Sequence, residues 1–134
     1  MQKKLSKSVE DTAKIAREFA KKLKGNETIL LHGELGAGKT AFAKALAAAL
    51  GVEETVTSPT FTFLKTYTGR APFFHFDLYR AKDETELLEL GLKEYIGEGI
   101  CVIEWNCFKN LGKVIEVKIT RLENGDRSFE WQTF

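Results

Sequence analysis

Apolar residues recur every three to four positions through Val9, Ala13, Ile15, Ala16, Phe19, Ala20 and Leu23, the spacing that lays one hydrophobic stripe along a helix. Ser8 precedes the stripe as an N-cap, Glu10 and Asp11 stand in the first turn, and Gly25 ends it. The period then changes. Residues 28–32, Thr-Ile-Leu-Leu-His, are a short continuous apolar run suited to a buried strand, and an alanine-rich helix is expected from about 39 to 50, stopping at Gly51. Residues 55–68 are dense in Thr, Val, Phe and Tyr but interrupted by Ser58-Pro59, which predicts a loop over 57–60 feeding a strand. Gly69-Arg70-Ala71-Pro72 reads as a turn. Phe73-Phe74-His75-Phe76-Asp77 is the next strand, antiparallel to the last because so short a connection permits no crossover.

Short helices are expected over 83–90 and 93–96, followed by Ile100-Cys101-Val102-Ile103-Glu104, a central-strand run that ends in an acid. Residues 114–122 alternate, Glu123-Asn124-Gly125-Asp126 makes a turn, and 127–134 returns as a strand. Strands interleaved with helices, together with two short hairpin connections, predict a three-layer α/β domain with a mixed parallel and antiparallel sheet.

Composition narrows the class. A chain of 134 residues is the size of one domain. No apolar stretch approaches the ~20 residues of a membrane span, so no membrane partner is expected. The first residues lack the apolar core of a secretory signal, and a cytoplasmic location is expected. Net charge is +1, but Lys and Arg dominate the first two dozen residues while 83–98 is acidic; such runs are most often solvated helix faces. Cys101 and Cys107 form no Cys-x-x-Cys pair, and the two histidines lie far apart in sequence. Metal chemistry therefore falls to oxygen ligands, which suits Mg²⁺.

The strongest chemical signal is Gly33-Glu34-Leu35-Gly36-Ala37-Gly38-Lys39-Thr40, a G-x-x-x-x-G-K-T loop between a strand and a helix. Glycines let the backbone curl so that successive N–H groups, continuing to Ala41, converge on phosphate at a helix N-terminus. Lys39 is expected to reach the β- and γ-phosphates, and the Thr40 hydroxyl to hold Mg²⁺. The fold expected is thus P-loop NTPase-like, over residues 1–134. Hydrolysis of ATP to ADP also needs carboxylates. Glu104 and Asp77 each end an apolar strand; Glu104 is assigned beside Thr40 on Mg²⁺ and Asp77 to water, with the roles exchangeable. Ser58 and Thr60 stand where nucleotide-sensing switch loops occur. Trp105 is expected at the rim of the site, and His75, between two phenylalanines, reads as a structural histidine.

The P-loop, Ser58-Pro59-Thr60-Phe61-Thr62, His75-Phe76-Asp77-Leu78-Tyr79-Arg80 and Ile103-Glu104-Trp105, in this order, resemble the bacterial TsaE family. The resemblance implies a small ATPase needed to make N6-threonylcarbamoyladenosine at position 37 of certain tRNAs. It implies that the protein binds the TsaB–TsaD heterodimer, meets tRNA only through that complex, and resets the complex by ATP binding and hydrolysis. Activity alone is expected to be weak and partner-stimulated. By resemblance Thr40 and Glu104 are Mg²⁺ ligands, Asp77 is the acid needed for turnover, Trp105 lies near the nucleotide, and Glu10 and Asp126 face the adenine. Asn106-Cys107 after the Ile-Glu-Trp departs from the family pattern. A small-molecule kinase on the same loop, and a binding module with a structural nucleotide, are the alternatives; free phosphate against phosphorylated product separates the first from an ATPase.

Overall fold

The sheet is built around four parallel strands, and the apolar side chains of three of them serve two layers at once. In the computed structural model, which describes residues 1–59 and 62–132, the chain runs β1 (Gln2–Ser6), α1 (Val9–Ala20), β2 (Thr28–His32), α2 (Lys39–Ala49), β3 (Leu64–Thr68), β4 (Pro72–Asp77), α3 (Glu84–Glu89), a 3₁₀ turn at Leu92–Tyr95, β5 (Ile100–Glu104), β6 (Ile115–Arg121) and β7 (Arg127–Trp131). Strand order is β1-β7-β6-β2-β5-β4-β3. β6, β2, β5 and β4 pair in parallel, while β1-β7-β6 and β4-β3 are antiparallel. The mixed sheet expected from the hairpin spacings is present.

Helices α1 and α2 cover one face, packing Ile15, Phe19, Phe42 and Leu46 onto Ile29, Leu31, Val102, Val117 and Phe129. On the other face, Leu30, Phe74, Phe76, Cys101 and Ile103 meet Leu78, Leu87, Leu92 and Phe108. Alternation in β4 decides the split: Phe74 and Phe76 point one way, Phe73, His75 and Asp77 the other. The third layer covers only the β2-β5-β4 half, since Glu116, Lys118 and Thr120 of β6 are exposed.

Three expectations shift. β1 was not legible as a strand; its residues pair with β7 from Gln2 opposite Trp131 to Ser6 opposite Arg127. α1 ends at Ala20, though Leu23 remains buried. Among the described residues of 55–68, only Leu64–Thr68 form a strand. The expected switch residue Thr60 and the end of the strand expected to reach 134 lie outside the described residues. Among the described residues no helix is long and apolar enough to cross a membrane.

Candidate functional site

β2 delivers the chain to the carboxyl edge of the sheet, and its exit is sterically specified. A Cβ on Gly33 would sit 2.6 Å from the Ile119 carbonyl oxygen and 3.1 Å from the Ala37 Cβ, so only glycine leaves β2 this close to β6. The loop then turns through Gly36 at φ 83° and Gly38 at φ 109°, left-handed conformations that disfavour a side chain.

Helix starts differ in a telling way. Ser8 caps α1 by accepting from the Asp11 N–H, and Asp83 caps α3 by accepting from the Glu86 N–H. At α2 the cap is Gly38, which has no side chain to offer. Its first amides are left for an anion, and the helix dipole adds partial positive charge there.

Around this start side chains of α2, of two strand ends and of a loop converge. Thr40 Oγ1 donates to Glu104 Oε1 at 2.9 Å and lies 3.1 Å from Oε2, joining residues 64 apart in sequence. Asp77 and Glu104 are register partners in the parallel pair of β4 and β5, which brings the two strand-end carboxylates side by side. Ser58 Oγ donates to Asp77 Oδ2 at 2.9 Å, and the Tyr79 N–H donates to Oδ1 at 3.1 Å. Lys39 is buried. Its ammonium donates to the carbonyls of Gly33 and of Glu34, the latter at 3.0 Å, and lies 4.0 Å from the Trp105 ring centroid. Burial pushes the Lys39 ammonium below its ordinary pKa, with Glu104 and Asp77 opposing. Trp105 adopts φ 57°, uncommon for a non-glycine, and its ring packs on Tyr79 at 5.0 Å.

These groups line a cleft of about 340 Å³ bounded by Leu35, Gly38, Lys39, Thr40, Ser58, Asp77, Glu104 and Trp105. A larger cavity of about 620 Å³ lies at the opposite, amino edge of the parallel strands, lined by Lys22, Lys24, Glu27 and Lys113. It has neither the glycine turn nor the paired carboxylates, so the smaller cleft is the one equipped for chemistry.

The structure thus brings Gly33 to Ala41, Ser58, Asp77, Glu104 and Trp105 together. Glu10 and Asp126, expected at the adenine, are not among the residues that line this cleft. Glu10 is exposed in the first turn of α1, and Asp126 is engaged with Asn124 inside the hairpin turn. One residue escaped the sequence reading and another was read only as structural. The Arg127 side chain lies against the loop, its Nε 2.8 Å from where a Cβ on Gly38 would sit; no motif marks it. His75 proves to be more than core: its Nε2 is 2.6 Å from Glu104 Oε2. Its period-two spacing from Asp77 was the available clue.

Comparison with known proteins gives the family of the chain. Residues 6–129 match the family model described as "Threonylcarbamoyl adenosine biosynthesis protein TsaE". A Treponema pallidum (strain Nichols) protein named tRNA threonylcarbamoyladenosine biosynthesis protein TsaE is 42% identical over 102 residues, covering 75% of this chain and 76% of that protein. A protein of the same name from Aquifex aeolicus (strain VF5) is 50% identical over 101 residues, covering 73% and 71%. The crystal structure of YdiB from Bacillus subtilis superposes with a TM-score of 0.76 at 32% identity, over 97% of this chain and 83% of that one.

Proposed function

The chain belongs to the TsaE family, and from that premise we propose that residues 1–134 form a single Mg²⁺-dependent ATPase domain that supports N6-threonylcarbamoyladenosine synthesis in tRNA by binding and resetting the TsaB–TsaD complex. The observation that carries the nucleotide reading is the Thr40–Glu104 contact beside a helix start with no side-chain cap. Its donors are hard oxygens, as Mg²⁺ prefers. Among the described residues no cluster of three or more His, Cys, Asp or Glu is placed to hold a metal. Thr40 and Glu104 would hold the ion, and so few protein ligands are usual for Mg²⁺ beside a nucleotide.

When bound, Mg²⁺ would neutralise negative charge on the phosphates. The protein's own groups supply the rest. Amides of the loop from Gly36 through Ala41 cradle the phosphates, and Lys39 leaves the Gly33 and Glu34 carbonyls to meet them. Asp77, held by Ser58 and the Tyr79 amide, orients a water toward the γ-phosphorus and accepts its proton as the bond to the leaving oxygen breaks. Glu104, already on Thr40, serves the metal side. ATP and water become ADP and phosphate.

The partner-stimulated reading is supported by the exposure of the cleft. Leu35 is 72% and Tyr79 58% exposed at its mouth, leaving water poorly ordered until a second surface covers it. Calorimetry with ATP and Mg²⁺, and phosphate release with and without TsaB–TsaD, test the proposal. Wild type binds, Lys39→Ala loses at least tenfold in affinity, and Asp77→Asn keeps binding while losing about a hundredfold or more in turnover. A wild-type chain that releases no heat with ATP defeats the nucleotide reading; one that binds ATP but gains no turnover from TsaB–TsaD defeats the partner-gated mechanism.

A further inference from the structure

We infer that His75 is a positioning residue: by donating from Nε2 to Glu104 Oε2 it fixes the carboxylate in the orientation that receives Thr40 and a divalent cation. The inference rests on the nucleotide reading above. His75 and Glu104 are 0% and 2% exposed, and their 2.6 Å contact is the shortest polar contact of the Thr40–Glu104–His75 chain.

Burial makes the choice of histidine informative. The neighbouring positions Phe73, Phe74 and Phe76 are apolar and buried, so an apolar ring suits this strand. His75 instead leaves its Nδ1 buried with no hydrogen-bond partner among the described residues, a cost that a phenylalanine does not incur. The imidazole is kept at the expense of one unsatisfied nitrogen because the other is aimed at Glu104.

The register explains how. His75 stands two residues before Asp77, on the same side of β4, and Asp77 is the partner of Glu104 on β5. The ring therefore lies one pleat deeper than the cleft, beneath the carboxylate. From there it engages Oε2, while Oε1 stays with Thr40 at the mouth. Without that donor the carboxylate is held by Thr40 alone and loses its defined face toward the cation. Loss of such outer-shell partners at metal sites typically lowers metal affinity about 10–100-fold.

The test is a Mg²⁺ titration read by the fluorescence of N-methylanthraniloyl-ADP bound to the intact chain, with a parallel binding measurement in EDTA. Glutamine places an amide N–H near the imidazole Nε2 position, whereas asparagine reaches only as far as Nδ1. His75→Gln is expected to keep the half-saturating Mg²⁺ concentration within about threefold of wild type. His75→Asn and His75→Leu are expected to raise it about 10–100-fold, with metal-free nucleotide binding unchanged. Thermal melts of each variant check the fold, and should leucine prevent folding, the glutamine and asparagine pair decides. Equal Mg²⁺ dependence in Asn and Gln variants overturns the inference alone, whereas a wild type that binds nucleotide without regard to Mg²⁺ overturns it together with the Mg²⁺ part of the proposed function. A wild type that binds no nucleotide at all removes the reading beneath it.

Discussion

Glu27 shows at the scale of one residue how backbone geometry sets the behaviour of a charge. Its carboxylate accepts from the Lys24, Gly25 and Asn26 amides at 2.7, 2.9 and 3.1 Å, closing the turn between α1 and β2. Burial works against the charged form, but the backbone donors together outweigh it and hold the group below its ordinary value of 4.5. A depressed carboxylate contributes stability that is fully present above the unfolded value and is lost as pH falls through the folded one. Glu27→Gln is therefore expected to cost about 1 kcal/mol at pH 7, with the gap to wild type narrowing below pH 4.5 and closing beneath the folded value. Urea denaturation of both proteins across pH 3–7 measures it; a gap independent of pH would show that lost packing, not the carboxylate, is responsible. The same scale explains Lys39, whose aliphatic stem is buried while its ammonium rests on carbonyls and on the Trp105 face.

Elements differ chiefly in how their ends are closed. The α1 start is tied down twice, by the Ser8 cap at 3.0 Å and by the 2.6 Å contact between the Ser6 and Thr12 hydroxyls. Its end is held by Arg70, which donates to the Ala20 and Leu23 carbonyls at 3.1 and 2.8 Å from the β3–β4 turn. α2, by contrast, presents bare amides. Ser8→Ala is expected to cost about 1 kcal/mol and to lower the melting temperature by roughly 4 °C, with affinity for inorganic triphosphate unchanged because α1 contributes no residue to the cleft. Calorimetric melting and triphosphate titration on the same sample check both halves. An equal loss in triphosphate affinity would mean that α1 and the loop act as one unit.

On the scale of the whole molecule, an aromatic cluster joins both covering helices to the sheet. Phe42 meets Phe19 at 5.8 Å and Phe129 at 5.2 Å, and Phe19 meets Trp131 at 5.2 Å. Phe42 stands in the first turn of α2, one turn from the phosphate loop, so core packing and loop geometry share a support. Phe42→Ala is expected to cost about 3–5 kcal/mol, a large share of the ~5–15 kcal/mol available to a domain. Equilibrium unfolding in urea gives the number; a loss below 1 kcal/mol would mean that the cavity collapses and the cluster is not the keystone described.

Much of this was legible because it is written in local chemistry. The Gly33 to Thr40 loop, the α1 stripe with Ser8 before it, and the apolar runs at β2, β4 and β5 depend on φ preferences and on periods of 3.6 and 2, which act over a few residues. Other features carry no such imprint. Gln2 to Ser6 become a strand because β7 offers its edge, not because their own pattern demands it. Residues 52–59, despite their β-branched content, form no strand, and Ser58 turns to Asp77.

What the chain determined unaided was therefore a cradle for phosphate and the strands that flank it. Strand order and register decided the rest: placing β5 between β2 and β4 puts Glu104 on Thr40, sets Asp77 beside it and slides His75 beneath. The reason is distance along the chain. A backbone turn is governed by its own residues, whereas a contact across 64 positions exists only once a parallel sheet has aligned the carboxyl ends of its strands.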